Sequence, residues 1–217
     1  MVALEMDLLG RAYTLLEMLC QQYISAAMHS RHDSQTPLWH HKLLSAWCAK
    51  QLPLSDRTVA PSDATDVHPA IWAELQLAER RGPRSSDALA GVVAYQELLF
   101  PGGSMEAVLP VYEDAIVSAF YNGCVVAAVE SIRLLLPKQR RVVALEVGAG
   151  SGGTASSVLP ALEGACERYI FTDVSEVFLR QARVRFADVA FLEYTLLNVD
   201  ADPRLQGFAT RQCDMVI

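Results

Sequence analysis

VVALEVGAGSGGT, residues 142–154, is the stretch from which the rest of the chain is read. Four of its first five residues are apolar, the run ends in glycines, and a helix-like segment, Thr154 to Leu162, follows. This is the pattern of a buried parallel strand turning tightly into a helix. Gly148, Gly150, Gly152 and Gly153 let backbone N–H groups at the helix N-terminus approach a ligand with no Cβ in the way, and a nucleotide-like cofactor is the default guest.

Glycine spacing alone leaves the cofactor open. Gly148-x-Gly150-x-x-Gly153 satisfies the dinucleotide fingerprint, and Gly148-x-Gly150-x-Gly152 satisfies a methyltransferase pattern equally well. Glu146 favours the second. A carboxylate near the C-terminal end of a buried strand is costly unless a cation or a hydrogen-bond donor meets it. The ammonium of S-adenosylmethionine (SAM) would meet it and a pyrophosphate would repel it; an arginine or a backbone amide of the protein would serve as well.

Beyond this strand the chain alternates as a doubly wound fold does. Tyr169 to Thr172 reads as a second strand delivering Asp173, twenty residues after Gly153, where a carboxylate accepts both ribose hydroxyls of an adenosine. Ser175 is placed to cap a helix with Phe178, Ala182 and Phe186 inward. Asp188 to Leu197 reads as a third strand followed by Asn198, where a polar side chain would meet adenine. Asp202 to Phe208 is a turn with a short helix, and Cys213 to Ile217 begins a fourth strand. The sequence stops inside that strand, so the sheet is expected to be cut.

Before the glycine-rich strand the chain reads as helical. Ala3 to Ala27 carries Leu8, Leu9, Ala12, Leu15, Leu16, Leu19 and Tyr23 at helical spacing. Leu38 to Leu52 is a second helix, with Trp39, Leu43, Leu44 and Trp47, and 53–67 is a loop by composition. A helix from His68 ends at RRGPRSS, and another runs from Asp87 to Phe100. Ser104 caps a short helix toward Tyr112. Asp114 to Leu136 is a long helix with Ile116, Phe120, Cys124, Ala128, Ile132 and Leu135 on one stripe. The tryptophans Trp39, Trp47 and Trp72 read as core.

Composition narrows the partners. The 217 residues are 52% apolar and 20% charged with net charge −7, which argues against nucleic acid or an anionic membrane surface. The basic run KQRR at 138–141 reads as a solvated strand entry. Five scattered cysteines without CxxC spacing read as reduced core thiols of a cytoplasmic protein. No apolar run is expected to reach the ~18 residues of a membrane span. His29, His32, His40 and His41 lack a convincing metal spacing, so no metal is expected.

Four ordered segments carry a resemblance: LLFPGGSMEAVLPVYEDAIVSAFYN (98–122), LEVGAGSGGTASSVLPAL (145–162), YIFTDVSEVFLRQA (169–182) and NVDADPRLQGF (198–208). Together they resemble the C-methyltransferase domain of modular polyketide synthases. The resemblance implies an α/β, Rossmann-like SAM-dependent methyltransferase fold with an incomplete parallel sheet, residues 138–217, preceded by an α-helical lid region, residues 1–137. It implies that SAM methylates the α-carbon of a β-ketoacyl thioester held on an acyl carrier protein, among neighbouring synthase domains. Carried over by position, Glu146, Gly148 and Gly150 line the methionine end of SAM and Asp173 the ribose, with Ala149 and Val174 also among the cofactor-binding residues. Tyr112, Tyr121 and Asn122 fall near cofactor or substrate. Asn198 stands where the family usually has Asp; its amide oxygen still accepts from the adenine amino group, without charge assistance. The family's catalytic histidine and its partner glutamate would fall after the fourth strand, beyond Ile217. Two other readings stay open: a non-catalytic methyltransferase remnant serving as a structural adaptor, and half of an NAD-binding oxidoreductase.

Overall fold

The computed structural model describes residues 2–29, 42–43, 46–47, 50, 58–137, 139–209 and 213–217. Most of the expected helix from Leu38 to Leu52, Trp39, Cys48, and His32, His40 and His41 lie outside the described residues. The chain forms two compact units, Met1–Ile116 and Val117–Ile217.

The first unit is helical. Helix α1 (Val2–His29) presents the stripe read from its periodicity: Leu9, Ala12, Leu16 and Leu19 are buried against Ala64 of α2 (Pro61–Val67), Ile71, and Leu75 of α3 (Trp72–Arg81). Tyr13 on α1 donates its hydroxyl to Glu74 on α3 at 2.7 Å. The expected helix from Asp87 to Phe100 is two short ones, α4 (Ser85–Leu89) and α5 (Tyr95–Leu99). Gly91 takes φ +72°, a left-handed conformation that ends a helix, and the amides of Val92 and Val93 fold back onto the Asp87 carbonyl. Trp47 and Trp72 are not core; 52% and 55% of their surface is exposed. Helix α6 (Leu109–Glu113) carries Tyr112.

Tyr23 of α1 lies directly on Gly82, where a Cβ would come within 2.1 Å of the ring. Gly82→Ala is therefore expected to force the ring off α3's end and to cost about 1–3 kcal/mol, measured as a lower melting temperature of the purified chain. An unchanged melting temperature would show that Tyr23 has room to swing away.

The second unit is α/β with an all-parallel sheet, as read from the sequence. Strands β1 (Val142–Val147), β2 (Cys166–Asp173), β3 (Leu192–Leu196) and β4 (Met215–Val216) stand in the order β3-β2-β1-β4. Helix α8 (Gly153–Leu162) crosses from β1 to β2, and α9 (Glu176–Arg185) from β2 to β3. Val142, Ala144, Tyr169 and Phe171 pack with Ala155, Val158, Leu159 and Leu162 of α8 and Leu179 and Ala182 of α9. The strand order reverses at β1, so the C-terminal ends of β1 and β4 flank a topological switch point, where open α/β sheets bind their ligands.

Helix α7 (Ile116–Leu135) packs on this core through Val125, Val126 and Val129. The stripe expected from its sequence, Ile116, Phe120, Cys124, Ala128, Ile132 and Leu135, is exposed instead. Apolar residues surround this helix, so periodicity could not choose the docking face. At 20 residues it is also long and apolar enough to cross a membrane, which corrects the expectation that no stretch reaches that length. Among the described cysteines, all unpaired, Cys166 is buried and Cys124 exposed, so not every thiol is core.

Candidate functional site

The glycine loop joins β1 to α8 by three positive-φ residues: Gly148 at +67°, Gly150 at +54° and Gly152 at +78°. Side chains rarely adopt these values, and at Gly152 a Cβ would also meet the Phe186 ring at 2.8 Å. The loop's amides are largely committed to the protein itself. Ala149 N–H donates to the Thr172 carbonyl at 2.8 Å and Gly152 N–H to the Ala149 carbonyl at 2.9 Å. Gly150 N–H donates to Asp173 Oδ2 at 2.9 Å.

Asp173 is buried, and its other oxygen accepts from Ser175 N–H at 2.8 Å. Its carboxylate thus braces the glycine loop against the β2–α9 turn. Each oxygen keeps a further lone pair for a ligand hydroxyl. Ser175 stands at the N-cap of α9 as expected, but its hydroxyl makes no capping bond; the helix buries Leu179 and Ala182. The Asp173 carbonyl accepts from Leu197 N–H at 3.0 Å, which draws the end of β3 to the end of β2.

Val174 follows Asp173 and is 69% exposed, an apolar side chain at the open edge of the sheet. Asn198 lies at the same edge beyond β3. Its Oδ1 accepts from Asp200 N–H at 3.0 Å, and its backbone is held by Gln206 at 2.8 Å on both N–H and carbonyl.

Glu146 is only 3% exposed. The parallel register pairs Ala144 with Tyr169 and Glu146 with Phe171, which puts Tyr169 diagonally beside Glu146 on one face. The Tyr169 hydroxyl donates to Glu146 Oε2 at 2.9 Å. Burial pushes the Glu146 carboxyl up to about 7, although the bonds from Tyr169 and from the Ala155 amide of α8 pull the other way. Burial first, then the adjoining Glu146 charge, raise the Tyr169 hydroxyl. The bonds from Tyr169 and Ala155 thus offset the cost of burying this carboxylate only in part, and the net upward shift leaves room for a ligand ammonium to meet the rest. Sequence reasoning missed Tyr169 because its nearness to Glu146 follows from register.

Of the three residues between the helical region and the strand, the structure brings Asn122 to the loop. Asn122 is buried, and its Oδ1 accepts from Thr154 Oγ1, on the first turn of α8, at 3.0 Å. Tyr121, next to it, is 64% exposed and stacks edge-on with Phe120 at 5.4 Å between ring centroids. Tyr112 is half exposed and belongs to the first unit. Thr154 escaped sequence reading because nothing local marks it as the partner of a residue 32 positions away. Among the described residues no cluster of three or more histidine, cysteine or acidic side chains is placed to hold a metal.

No protein-family model matches the chain. Over 187 residues, 82% of its length, it is 29% identical to the highly reducing polyketide synthase verA of Penicillium polonicum. Over 193 residues it is 32% identical to the reducing polyketide synthase BOA6 of Botryotinia fuckeliana. It spans 7% and 8% of these synthases. Among solved structures it superimposes on the CurJ carbon methyltransferase with a TM-score of 0.80 and 27% identity, over 94% of this chain and 63% of that one. In sequence and in fold the chain is homologous to the C-methyltransferase domains of polyketide synthases.

Proposed function

We propose that this chain binds SAM at the C-terminal edge of its sheet and serves methyl transfer to the α-carbon of a β-ketoacyl thioester carried by an acyl carrier protein, within a larger synthase. The carrying observation is the Asp173 carboxylate bonded to Gly150 inside the glycine loop. A dinucleotide would have to bring its pyrophosphate to a loop that already holds a negative charge and has spent the amides of Ala149, Gly150 and Gly152. SAM carries a sulfonium and an ammonium and has no such conflict.

The residues present fit SAM. A Cβ built at Gly148 meets nothing within 4 Å, so the loop opens onto free space. Asp173 would accept the ribose hydroxyls with its remaining lone pairs. Val174 and Val199, 69% and 62% exposed, would flank the adenine, with Asn198 accepting from its amino group. Glu146, Gly148, Ala149 and Gly150 would form the methionine end, with Asn122 and Tyr121 as the adjoining wall. When bound, SAM supplies an electrophilic methyl group. The acceptor carbon lies between two carbonyls, and its proton must pass to a general base. Cofactor binding tests this reading without depending on which group is that base.

Titration calorimetry of the purified chain should show SAM and its demethylated product, S-adenosylhomocysteine (SAH), binding, with NADH giving no saturable heat. Tighter binding of NADH than of SAH would overturn this reading in favour of a dinucleotide-binding protein.

A further inference from the structure

The first two turns of α7 are anchored by a polar contact. Ile116, Val117, Ala119, Phe120, Tyr121, Gly123 and Cys124 are all exposed, Ser118 is half-buried, and Asn122 is buried. Apolar packing starts only at Val125 and Val126. Further along, Arg133 donates to the Ala161 carbonyl at 2.8 Å, so α7 runs beside α8 and is tied to it at both ends, by Asn122 to Thr154 and by Arg133 to Ala161.

A buried amide without a partner is expensive, and a buried amide with one fixes geometry. The Thr154 hydroxyl donates to Asn122 Oδ1, which leaves the Asn122 NH₂ as the donor directed elsewhere. Thr154 follows Gly152 and Gly153 directly, so the same turn that shapes the glycine loop also sets where Asn122, and with it Phe120 and Tyr121, stand.

Resting on the reading of this edge as the SAM cleft, we propose that Thr154 is a positioning residue: its hydroxyl holds the N-terminal turns of α7 on α8 and thereby fixes the Asn122–Tyr121 wall of the cofactor cleft. Thr154 needs no ligand contact for this. Valine at this position keeps the shape and loses the bond, whereas serine keeps the hydroxyl.

The test compares the wild-type chain with Thr154→Val, Thr154→Ser, Asn122→Ala and the Thr154→Val/Asn122→Ala double variant. Hydrogen exchange is measured without ligand and SAH affinity by calorimetry. Losing one net hydrogen bond corresponds to roughly threefold to tenfold in an equilibrium constant. Thr154→Val should speed exchange over 117–124 by that factor while 166–173 keeps its protection, and should weaken SAH by a similar factor. Thr154→Ser should restore both, and the double variant should be no worse than Asn122→Ala alone. Exchange over 117–124 that is unchanged in Thr154→Val, or a serine variant as impaired as valine, would overturn the proposal. So would faster exchange with wild-type SAH affinity, since the bond would then hold the helix without shaping the site. If the wild-type chain binds no SAH, the cofactor reading fails, and the exchange data alone decide whether Thr154 holds α7. Should Thr154→Val not fold, Thr154→Ala against Thr154→Ser decides by the same two readouts.

Discussion

Asp173→Ala is expected to weaken SAH binding at least about tenfold, the equivalent of 1.4 kcal/mol. Hydrogen bonds from ligand hydroxyls to a carboxylate are charge-assisted and contribute roughly 1.5–3 kcal/mol each before losses, so two of them leave margin above that threshold. The structure adds a second source of loss. The same carboxylate accepts from Gly150 and Ser175, so alanine frees the loop as well as removing the ligand's partner. The two are separated by melting the variant without ligand. A lower melting temperature with unchanged SAH affinity would reduce Asp173 to a loop brace and remove it from the site. Asp173→Asn keeps the volume and one acceptor but sets an NH₂ against either the Gly150 or the Ser175 amide, so it should fall short of wild type in both measurements.

How far the sequence could be read depended on how local each signal was. The strand and glycine turn at 142–154 are written in consecutive residues, apolar run and then positive-φ glycines, and both formed where expected. Asp173 was legible for the same reason, since its place at the end of β2 follows from the alternation of elements. What failed needed information from elsewhere in the chain. Helix α7 is apolar on every side, so its stripe of Ile116, Phe120 and Cys124 looked as good an interior as the Val125, Val126 and Val129 face that packs. The break at Gly91 was hidden inside an apolar run whose helical spacing continues across it. Trp72 has the size of a core residue, but it opens a helix whose inward position belongs to Leu75, with Ile71 buried just before it.

Glu146 is the most consequential case of this kind. Its burial was read correctly from the strand, and a backbone amide was among the partners weighed for it, as Ala155 supplies; Tyr169 was missed, because it reaches Glu146 only through strand register. That burial makes stability depend on pH in a definite direction. Unfolded, the carboxyl titrates at its ordinary value of 4.5; folded, burial raises it to about 7. Below 4.5 both states hold the proton and Glu146 adds no slope. Between 4.5 and 7 the folded chain holds a proton that the unfolded chain has released, so unfolding free energy falls as pH rises. Above 7 both states are ionised and the slope vanishes. The loss across the window is on the order of 3 kcal/mol. Glu193, Asp202 and Asp214 titrate on the other side of this window. The Arg168 bond, the Arg204 bond and the Val143 amide respectively hold them below their ordinary values, so their contribution is lost only as pH falls. Glu146→Gln keeps an oxygen to accept from Tyr169 and removes the titration. Denaturant unfolding of wild type and variant from pH 4.5 to 8 should therefore show a downward slope in wild type that flattens in Glu146→Gln, whatever offset the substitution itself introduces. A slope that survives the substitution would mean that Glu146 is already ionised throughout this range, with Tyr169 and the α8 N-terminus stabilising its charge in full.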